Sequence, residues 1–239
     1  MEKILAATSN MLARIRELEI TANNLSNVNT PGYKRDRYFA DILEEIQTVE
    51  GGAYIFESGM MLGEQSRVDL SQGPLDQTGN PLDLGINGQG FFVVEDDAQD
   101  EVYTRNGDFH LDREGYLIAN SGKRVLGQGG RIQLPPGEIR ISKGGRITVD
   151  GKLIDELRLV LPDQNEPILK RGNSEYLFTI TPDGEKGDIV QGSLERSNVE
   201  PVESMVRMVE LQRDFESNQR MLKSFDEINR IAANEIGKI

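Results

Sequence analysis

The chain has 239 residues, enough for one or two domains, and it contains no cysteine and a single histidine. These counts exclude a disulfide framework, thiolate chemistry, and zinc sites or catalytic triads that depend on several cysteines or histidines. The net charge of −13 argues against nucleic acid as the main partner, because phosphate binding relies on basic patches. No apolar run approaches the length of a membrane span, so membrane insertion is not expected.

The first thirty residues predict an amphipathic helix. Proline and glycine are absent, and spacings of four and three alternate along one side. This is the seam geometry of a coiled coil. The N-terminal seam consists of Ile4, Thr8, Met11, Ile15, Leu18, Ala22 and Leu25. We expect the helix to end near Asn29, because Pro31 disfavours helix at Thr30 and Gly32 permits a turn.

An asparagine-rich motif occupies the end of this helix and the turn after it. Its side-chain amides can bond to orphan carbonyls or pair between chains. The motif residues are Asn23, Asn24, Leu25, Asn27, Asn29, Thr30, Pro31, Gly32, Tyr33 and Lys34. The stretch resembles the N-terminal signature of the rod, hook and hook-associated axial proteins of the bacterial flagellum. Their usual form is Ala-Asn-Asn-Leu-Ala-Asn ending in Thr-Pro-Gly-Tyr-Lys, and Ser26 here replaces the commoner alanine.

The middle of the chain divides into a linker and an all-β region. Residues 31–73 are predicted to be a mostly extended linker, because the periodicity is weak and glycines interrupt it. Residues 74–201 show a period of two, with turn signals every eight to twelve residues. We expect many short strands in a barrel- or sandwich-like domain, including a buried strand at residues 91–94. Residues 84–92, 103–109, 115–117, 125–127 and 192–199 again resemble the rod and hook proteins.

The C-terminal segment predicts a second, longer helix, from about Pro201 to Ile236. Ser197 or Asn198 can cap it, and Pro201 suits its first turn. Its seam consists of Met208, Leu211, Phe215, Asn218, Leu222, Phe225, Asn229, Ala232 and Ile236. Residues 209–219 resemble the C-terminal signature of the same family.

Two seams of one type at opposite ends of the chain predict a single assembly domain. It would combine residues 1–30 with residues 202–239 as paired terminal helices. The fold class is then α+β: a discontinuous terminal-helix coiled-coil domain and an all-β central domain. The alternative is that each helix packs separately on the middle domain.

The sequence carries no pattern of an active site, and we predict no catalytic residue, cofactor or metal. His110 lies in a strand-like run and is expected at the surface. The acidic group Asp96, Asp97, Asp100 and Glu101 lacks calcium-loop spacing, so a solvated hairpin loop is the expected structure.

The resemblance implies a structural subunit of the flagellar basal-body rod, the shaft that crosses the periplasm. Its partners would be itself, other rod proteins and the flagellar type III export apparatus, with no small-molecule substrate. Residues 1–12 lack the apolar core and cleavage site of a signal peptide, so export without cleavage is expected. Residues 20–23 and 215–216 depart from the usual form of distal rod proteins, which favours the proximal type. The alternatives are a distal rod or hook-type protein, an enzyme with helical oligomerisation arms, and a secreted adhesin or capping protein.

Overall fold

The computed structural model describes residues 2–39, 65–163, 166–172, 174–182 and 184–236. The chain divides into two compact units. Unit 1 comprises Met1–Asn23, Asp36–Arg67 and Val202–Ile239, and unit 2 comprises Asn24–Arg35 and Val68–Pro201. The boundary in the N-terminal region lies inside the last helical turn, so most of the asparagine-rich motif belongs to unit 2.

Helices lie at the two ends of the chain, as the apolar periodicity predicts. Helix α1 spans Glu2–Ser26 and helix α2 spans Pro201–Ile236, which are the predicted bounds of the second helix. At 1.5 Å per residue they are about 38 and about 54 Å long. Helix α1 ends three residues before Asn29, because the chain tightens into turns in which Asn27 N donates to Asn24 O and Val28 N to Leu25 O.

The capping prediction for α2 is wrong. The helix begins at Pro201, so Ser197 and Asn198 lie too far upstream to serve as its N-cap. The Ser197 hydroxyl instead accepts a hydrogen bond from Val199 N at 3.3 Å. Asn198 is used in a different network, described below.

Nineteen short strands lie between the two helices in the described part of the chain. They are β1 (Asp36–Phe39), β2 (Gln65–Val68), β3 (Leu75–Gln77), β4 (Leu84–Asn87), β5 (Phe91–Glu95), β6 (Glu101–Thr104), β7 (Phe109–Leu111), β8 (Leu117–Ala119), β9 (Arg124–Gly127), β10 (Gly130–Arg131), β11 (Ile139–Ile141), β12 (Arg146–Val149), β13 (Lys152–Glu156), β14 (Leu159–Pro162), β15 (Leu169–Gly172), β16 (Glu175–Leu177), β17 (Ile180–Thr181), β18 (Asp188–Gln191) and β19 (Ser193–Glu195).

The largest sheet has the order β15-β16-β6-β5-β9-β8-β7, and β14 pairs with both β5 and β17. Strand β10 pairs with β9, and smaller sheets are formed by β11-β12-β13, β18-β4, β19-β3 and β1-β2. The largest sheet has an edge strand at each end, so the described strands form no closed barrel. The barrel in the fold prediction is therefore too specific. The β-rich central region itself is confirmed.

Strand β5 separates the two apolar clusters of unit 2. Phe92 and Val94 belong to the larger cluster, and Phe91 and Val93 belong to a smaller one with Tyr103, Val160 and Tyr176. Successive residues of a strand point to opposite faces, so a strand that is apolar at every position must be covered on both sides. All four are at most 1 % exposed, which confirms the predicted buried strand.

Most of the predicted linker, residues 40–64, lies outside the described residues. Its described flanks carry β1 and β2, which pair with each other. The bounds of the linker therefore stay a prediction. None of the described helices is both long enough and apolar enough to cross a bilayer.

Candidate functional site

The asparagine-rich motif folds back on itself after α1. Tyr33 Oη donates to Asn24 Oδ1 at 3.1 Å, and Thr30 Oγ1 donates to Asn27 Oδ1 at 3.3 Å. Both asparagine side chains thus accept hydrogen bonds from motif residues that come after the helix. These bonds fix the turn that carries Gly32 and Lys34 toward the strands of unit 2.

Gly32 is the point of closest approach between the motif and the strands. Its φ is +67°, and a Cβ built on it would lie 2.3 Å from both Arg105 C and Asn106 N. Gly32 N also donates to Glu195 O at 2.7 Å. Only glycine satisfies both the left-handed backbone and this contact at low cost.

Lys34 enters the interior of unit 2 and is fully buried. Its Nζ lies 2.5 Å from Glu195 Oε1 and donates to Ser71 O at 2.7 Å. Arg105 Nη1 contacts the other oxygen of the same carboxylate, Glu195 Oε2, at 3.0 Å. We call Lys34, Arg105 and Glu195 the anchor cluster, because they join the motif to the strands.

The anchor cluster places two cations beside one carboxylate in the interior. Burial lowers the pKa of Lys34. The negative charge of Glu195 partly offsets this shift, and the positive charge of Arg105 adds to it. Burial also lowers the pKa of the Arg105 guanidinium, and Glu195 opposes that shift. Charged groups are expensive to bury unless they are paired and hydrogen-bonded, so both cations depend on Glu195.

Backbone groups complete the coordination of the anchor cluster. Glu195 Oε1 also accepts from Gly73 N at 2.9 Å, and Arg105 Nη2 donates to Gly88 O at 2.8 Å. Lys34 N donates to Tyr176 Oη at 3.0 Å, and Lys34 O accepts from Lys170 Nζ at 2.7 Å. The motif is therefore held through both its main chain and its side chains.

Asn198 ties the segment before α2 to the motif. Its Oδ1 accepts from Arg35 N at 2.7 Å, and its Nδ2 donates to Asp69 O at 2.9 Å and Ser71 O at 3.1 Å. Arg35 Nε in turn contacts Asp69 Oδ2 at 2.9 Å. Three chain segments that are distant in sequence converge here: the end of the motif, the residues before β3 and the approach to α2.

Within unit 1, α2 shelters one stripe of side chains and exposes the rest of its described surface. Leu211 is 1 % exposed, and Met208, Phe215 and Asn218 are half-buried. These four positions follow the predicted three-four spacing. On α1, Met11, Ile15 and Leu18 are also half-buried, as is Leu25 in unit 2.

Ion pairs join the two helices of unit 1. Arg207 Nε donates to Glu17 Oε1 at 2.8 Å, and Arg14 Nε lies 4.0 Å from Asp214 Oδ2. The structure does not show a coiled coil along the full seams. The predictions at Ile4, Leu222, Phe225, Asn229 and Ile236 fall on side chains outside the described part and stay predictions.

The acidic hairpin joins β5 to β6 as predicted. Asp96 is not solvated, however: its Oδ1 accepts from Ala98 N at 2.9 Å and Asp100 N at 3.0 Å, and its Oδ2 lies 2.6 Å from Arg171 Nη1. Among the described residues, no group of three or more potential ligands is arranged to hold a metal ion. His110 is exposed, as expected.

Sequence reasoning included Lys34 in the motif but did not identify its partners. Glu195 and Arg105 lie in segments 192–199 and 103–109, which resemble the rod and hook proteins but carry no motif that predicts a buried charge. A weak signal was present, because Glu195 alternates with Ser193 and Ser197 on one face of an extended run. Nothing in the sequence alone indicates that these charged side chains meet.

Three family models match the chain in order along its length. The flagella basal body rod protein model matches residues 4–34, and the D1 domain model of flagellar hook protein FlgE/F/G matches residues 85–149. The C-terminal model of flagellar basal body rod FlgEFG protein matches residues 190–235. The first and last matches contain the motif and Glu195, respectively, and the middle match contains Arg105.

Full-length relatives show the same likeness. The chain is 33 % identical to flagellar basal-body rod protein FlgF of Caulobacter vibrioides, with 94 % of this chain and 93 % of the relative covered. It is 31 % identical to flagellar basal-body rod protein FlgG of Bacillus subtilis, with 89 % and 90 % covered. It is 30 % identical to FlgF of Salmonella typhimurium, with 93 % and 92 % covered.

Proposed function

Because this chain belongs to the flagellar basal-body rod proteins and is a structural subunit of the rod, we propose that it polymerises through α1 and α2. In this proposal the helices supply the contacts between subunits, and unit 2 holds the asparagine-rich motif in one geometry. The partners are further copies of this chain and other rod proteins. The subunit reaches the rod through the flagellar type III export apparatus.

The observation that carries the proposal is the apolar surface of α2. Eight large apolar side chains of the described residues are exposed, and six of them lie on this helix: Val202, Met205, Val206, Val209, Met221 and Ile231. Clustered apolar exposure of this kind marks an interaction surface, because covering it with a partner removes it from water.

Helix α2 carries two apolar stripes, and we propose that each makes a different kind of contact. The sheltered stripe through Leu211 and Phe215 lies on the predicted seam. The exposed stripe of Val202, Val206 and Val209 follows the spacing of a second helical face. We propose that the first stripe orders the two terminal helices of one chain and that the second contacts neighbouring subunits.

A structural role rather than an enzymatic one accounts for the buried charged groups of the anchor cluster. Lys34 and Arg105 both bond to Glu195, and each also donates to a main-chain carbonyl, Lys34 Nζ to Ser71 O and Arg105 Nη2 to Gly88 O. Groups committed in this way stabilise a fixed geometry. Among rod proteins we propose the proximal type, on the departures from the distal form at residues 20–23 and 215–216.

The proposal is tested in a strain that lacks the gene, which should produce basal bodies without a complete rod. Restoring the natural chain should restore the rod. Val206→Glu with Val209→Glu should not, because two charges would then be placed in the apolar contact. The matched control, Gln212→Glu with Gln219→Glu, adds the same charge at exposed polar positions of α2 and should restore the rod. Incorporation is measured in purified basal bodies. Equal incorporation of both variants would show that the exposed stripe takes no part in assembly.

A further inference from the structure

Methionine is the only sulfur-containing residue type in this chain. The sequence contains seven methionines and no cysteine. A mild oxidant such as a hydroperoxide therefore meets no thiol that would react first, and its target is the methionine thioether, which it converts to the sulfoxide. Which methionines react then depends on how accessible each sulfur is.

The methionines whose side chains the structure describes differ in exposure. Met205 and Met221 on α2 are 54 % and 48 % exposed. Met208 on the same helix and Met11 on α1 are half-buried. A hydroperoxide should therefore reach the sulfurs of Met205 and Met221 more readily than the other two.

The two exposed methionines lie on different sides of α2. Successive residues of a helix are turned by about 100°, so one face carries Val202, Met205, Val206 and Val209. Met221 lies about 110° away from the middle of that face. Met205 thus extends the exposed stripe, whereas Met221 is an equally accessible methionine outside it.

Oxidation of Met205 would change the chemistry of the exposed stripe. The thioether is flexible and apolar, and it suits a contact made by valines. Its sulfoxide carries a polar oxygen that needs a hydrogen-bond donor when it is buried. The neighbouring side chains of Val202, Val206 and Val209 offer no donor. Covering an oxidised Met205 with a partner would therefore bury an unpaired acceptor.

We propose that Met205 is a site of reversible oxidation by hydroperoxides and that this oxidation weakens assembly through the exposed stripe. Its sulfur attacks the terminal peroxide oxygen, the S–O bond forms, and the O–O bond breaks. The sulfur is oxidised by two electrons, and the peroxide is reduced to an alcohol, or to water from hydrogen peroxide, which takes up the proton. A methionine sulfoxide reductase with a thiol as reductant restores the thioether. Oxidation acts on assembly only if the exposed stripe is a contact between subunits, so this proposal rests on the proposed function.

The first measurement is peptide mass spectrometry of the purified full chain during treatment with hydrogen peroxide. The sulfoxides of Met205 and Met221 should form several-fold faster than that of Met208, which is the matched methionine on the sheltered side of the same helix. Equal rates at Met205 and Met208 would overturn the assignment of Met205 as the reactive site.

The second measurement is self-association of the same chain in sedimentation experiments, before and after a peroxide dose that leaves Met208 reduced. Oxidation should weaken association about fivefold or more, the effect of one buried acceptor without a partner. A methionine sulfoxide reductase with a thiol should reverse the loss. For each variant the readout is the ratio of treated to untreated association. This ratio should be close to one for Met205→Leu, whereas Met221→Leu should lose association as the natural chain does.

The variant Val206→Glu with Val209→Glu separates this proposal from the proposed function. If the untreated variant associates like the natural chain, the exposed stripe is not a contact and both fail. If the variant does not associate while the natural chain with oxidised Met205 still does, only the role of oxidation fails. A peroxide effect that persists in Met205→Leu would also overturn the proposal. So would a natural chain that does not self-associate before treatment, because the sulfoxide would then have no contact to weaken.

Discussion

Glu195 accepts hydrogen bonds from three distant parts of the chain: Lys34 in the motif, Arg105 after β6, and the main chain at Gly73. The same residue contributes its main-chain oxygen to Gly32 N. Removing one partner of a buried ion pair costs more than the pair itself contributes, because the remaining charge stays buried. Because the Glu195 carboxylate lies between two cations, substitutions of Lys34, Arg105 and Glu195 should lower the free energy of unfolding by different amounts.

We therefore expect Glu195→Gln to lower the free energy of unfolding by about 3–5 kcal/mol, because it leaves two buried cations without a countercharge. Lys34→Met should cost less, since it leaves Arg105 and Glu195 as a balanced pair. Urea unfolding followed by circular dichroism measures both. Glu114→Gln, at an exposed side chain, is the control and should stay within about 0.5 kcal/mol of the natural chain. An equal or larger loss in Lys34→Met would contradict this account of the anchor cluster.

Gly32 and Gly79 differ in why a glycine is needed: Gly79 only adopts a left-handed backbone, whereas Gly32 also lies against neighbouring backbone atoms. Both have positive φ, but a Cβ at Gly79 would meet no atom within 4 Å, whereas one at Gly32 would lie 2.3 Å from two backbone atoms. Gly79→Ala should therefore cost about 1–2 kcal/mol from the left-handed backbone alone. Gly32→Ala should cost clearly more and displace the motif, seen as loss of protection of Tyr33 and Lys34 amides in hydrogen exchange. Similar losses in the two variants would mean that the close approach is easily relaxed.

The burial of a residue could be predicted from the sequence where the side chain is apolar. It could not be predicted where a charged side chain is buried because it forms an ion pair. The apolar run that includes Phe91 and Val93 predicts a strand that is covered on both faces. A lysine in a turn gives no such sign, and Lys34 is buried only because Glu195 is brought to it by the pairing of β19 with β3. The motif was recognised, but its anchor depended on contacts across more than a hundred residues.

The hairpin of β5 and β6 has a pH dependence that is set by hydrogen bonds and ion pairs to two carboxylates, Glu95 and Asp96. The hydrogen bond from Arg131 lowers the pKa of Glu95, and hydrogen bonds from Asp100 N, Ala98 N and then Arg171 lower that of Asp96. The unfolded chain then binds these protons at higher pH than the folded chain, so their contribution is present above the ordinary values of 4.5 and 3.8 and is lost as pH falls through the lowered ones.

We expect the free energy of unfolding of the natural chain to fall between about pH 5 and pH 2 more steeply than that of the Glu95→Gln, Asp96→Asn variant. Urea unfolding at several pH values measures the two slopes. The variant should be less stable than the natural chain at neutral pH and should approach it in acid. Parallel curves over this range would show that the two carboxylates do not contribute to acid sensitivity.

Helix α2 carries an amide within its sheltered stripe. Asn218 is half-buried in line with Leu211 and Phe215, where an apolar side chain would stabilise the contact more. An amide at a seam position fixes register at a cost in stability. Asn218→Leu should strengthen self-association in sedimentation experiments and yield misassembled or non-motile flagella. Ser217→Leu, the same change at the adjacent exposed position, is the control. Normal rods and unchanged association in Asn218→Leu would show that the asparagine is merely tolerated.

Element bounds were predictable to the extent that local signals set them. Pro201 and an uninterrupted apolar spacing define α2, and its bounds are the predicted ones. The end of α1 was missed because Asn24 and Asn27 bond to side chains that come after the helix, which shortens it. The strand order was not predictable, since β5 pairs with three strands from different parts of the sequence.

The boundary between the two units falls near the end of α1, so most of the motif lies in a different unit from most of the helix that leads into it. Residues 1–23 belong to unit 1, whereas Asn24–Arg35 belong to unit 2. A cut before Asn24 therefore removes helix surface and spares the anchor cluster. A cut after Arg35 removes both.

We expect these two truncations to differ in a strain that lacks the natural gene. Removing residues 1–23 should prevent incorporation into the rod while leaving the thermal unfolding of unit 2 nearly unchanged, because Lys34 still pairs with Glu195. Removing residues 1–35 should also prevent incorporation but lower the Tm of unit 2 by on the order of 10 °C, because the Lys34 ion pair is lost together with the hydrogen bonds that Gly32, Lys34 and Arg35 make to unit 2. Removing residues 206–239 is the matched C-terminal cut and should behave like the first. Calorimetry of the purified chains and analysis of isolated basal bodies measure the two effects separately. If the first two truncated chains had the same Tm, the motif would be tethered to unit 2 without stabilising it. If any of the three chains entered the rod, the helices would not be the assembly surface.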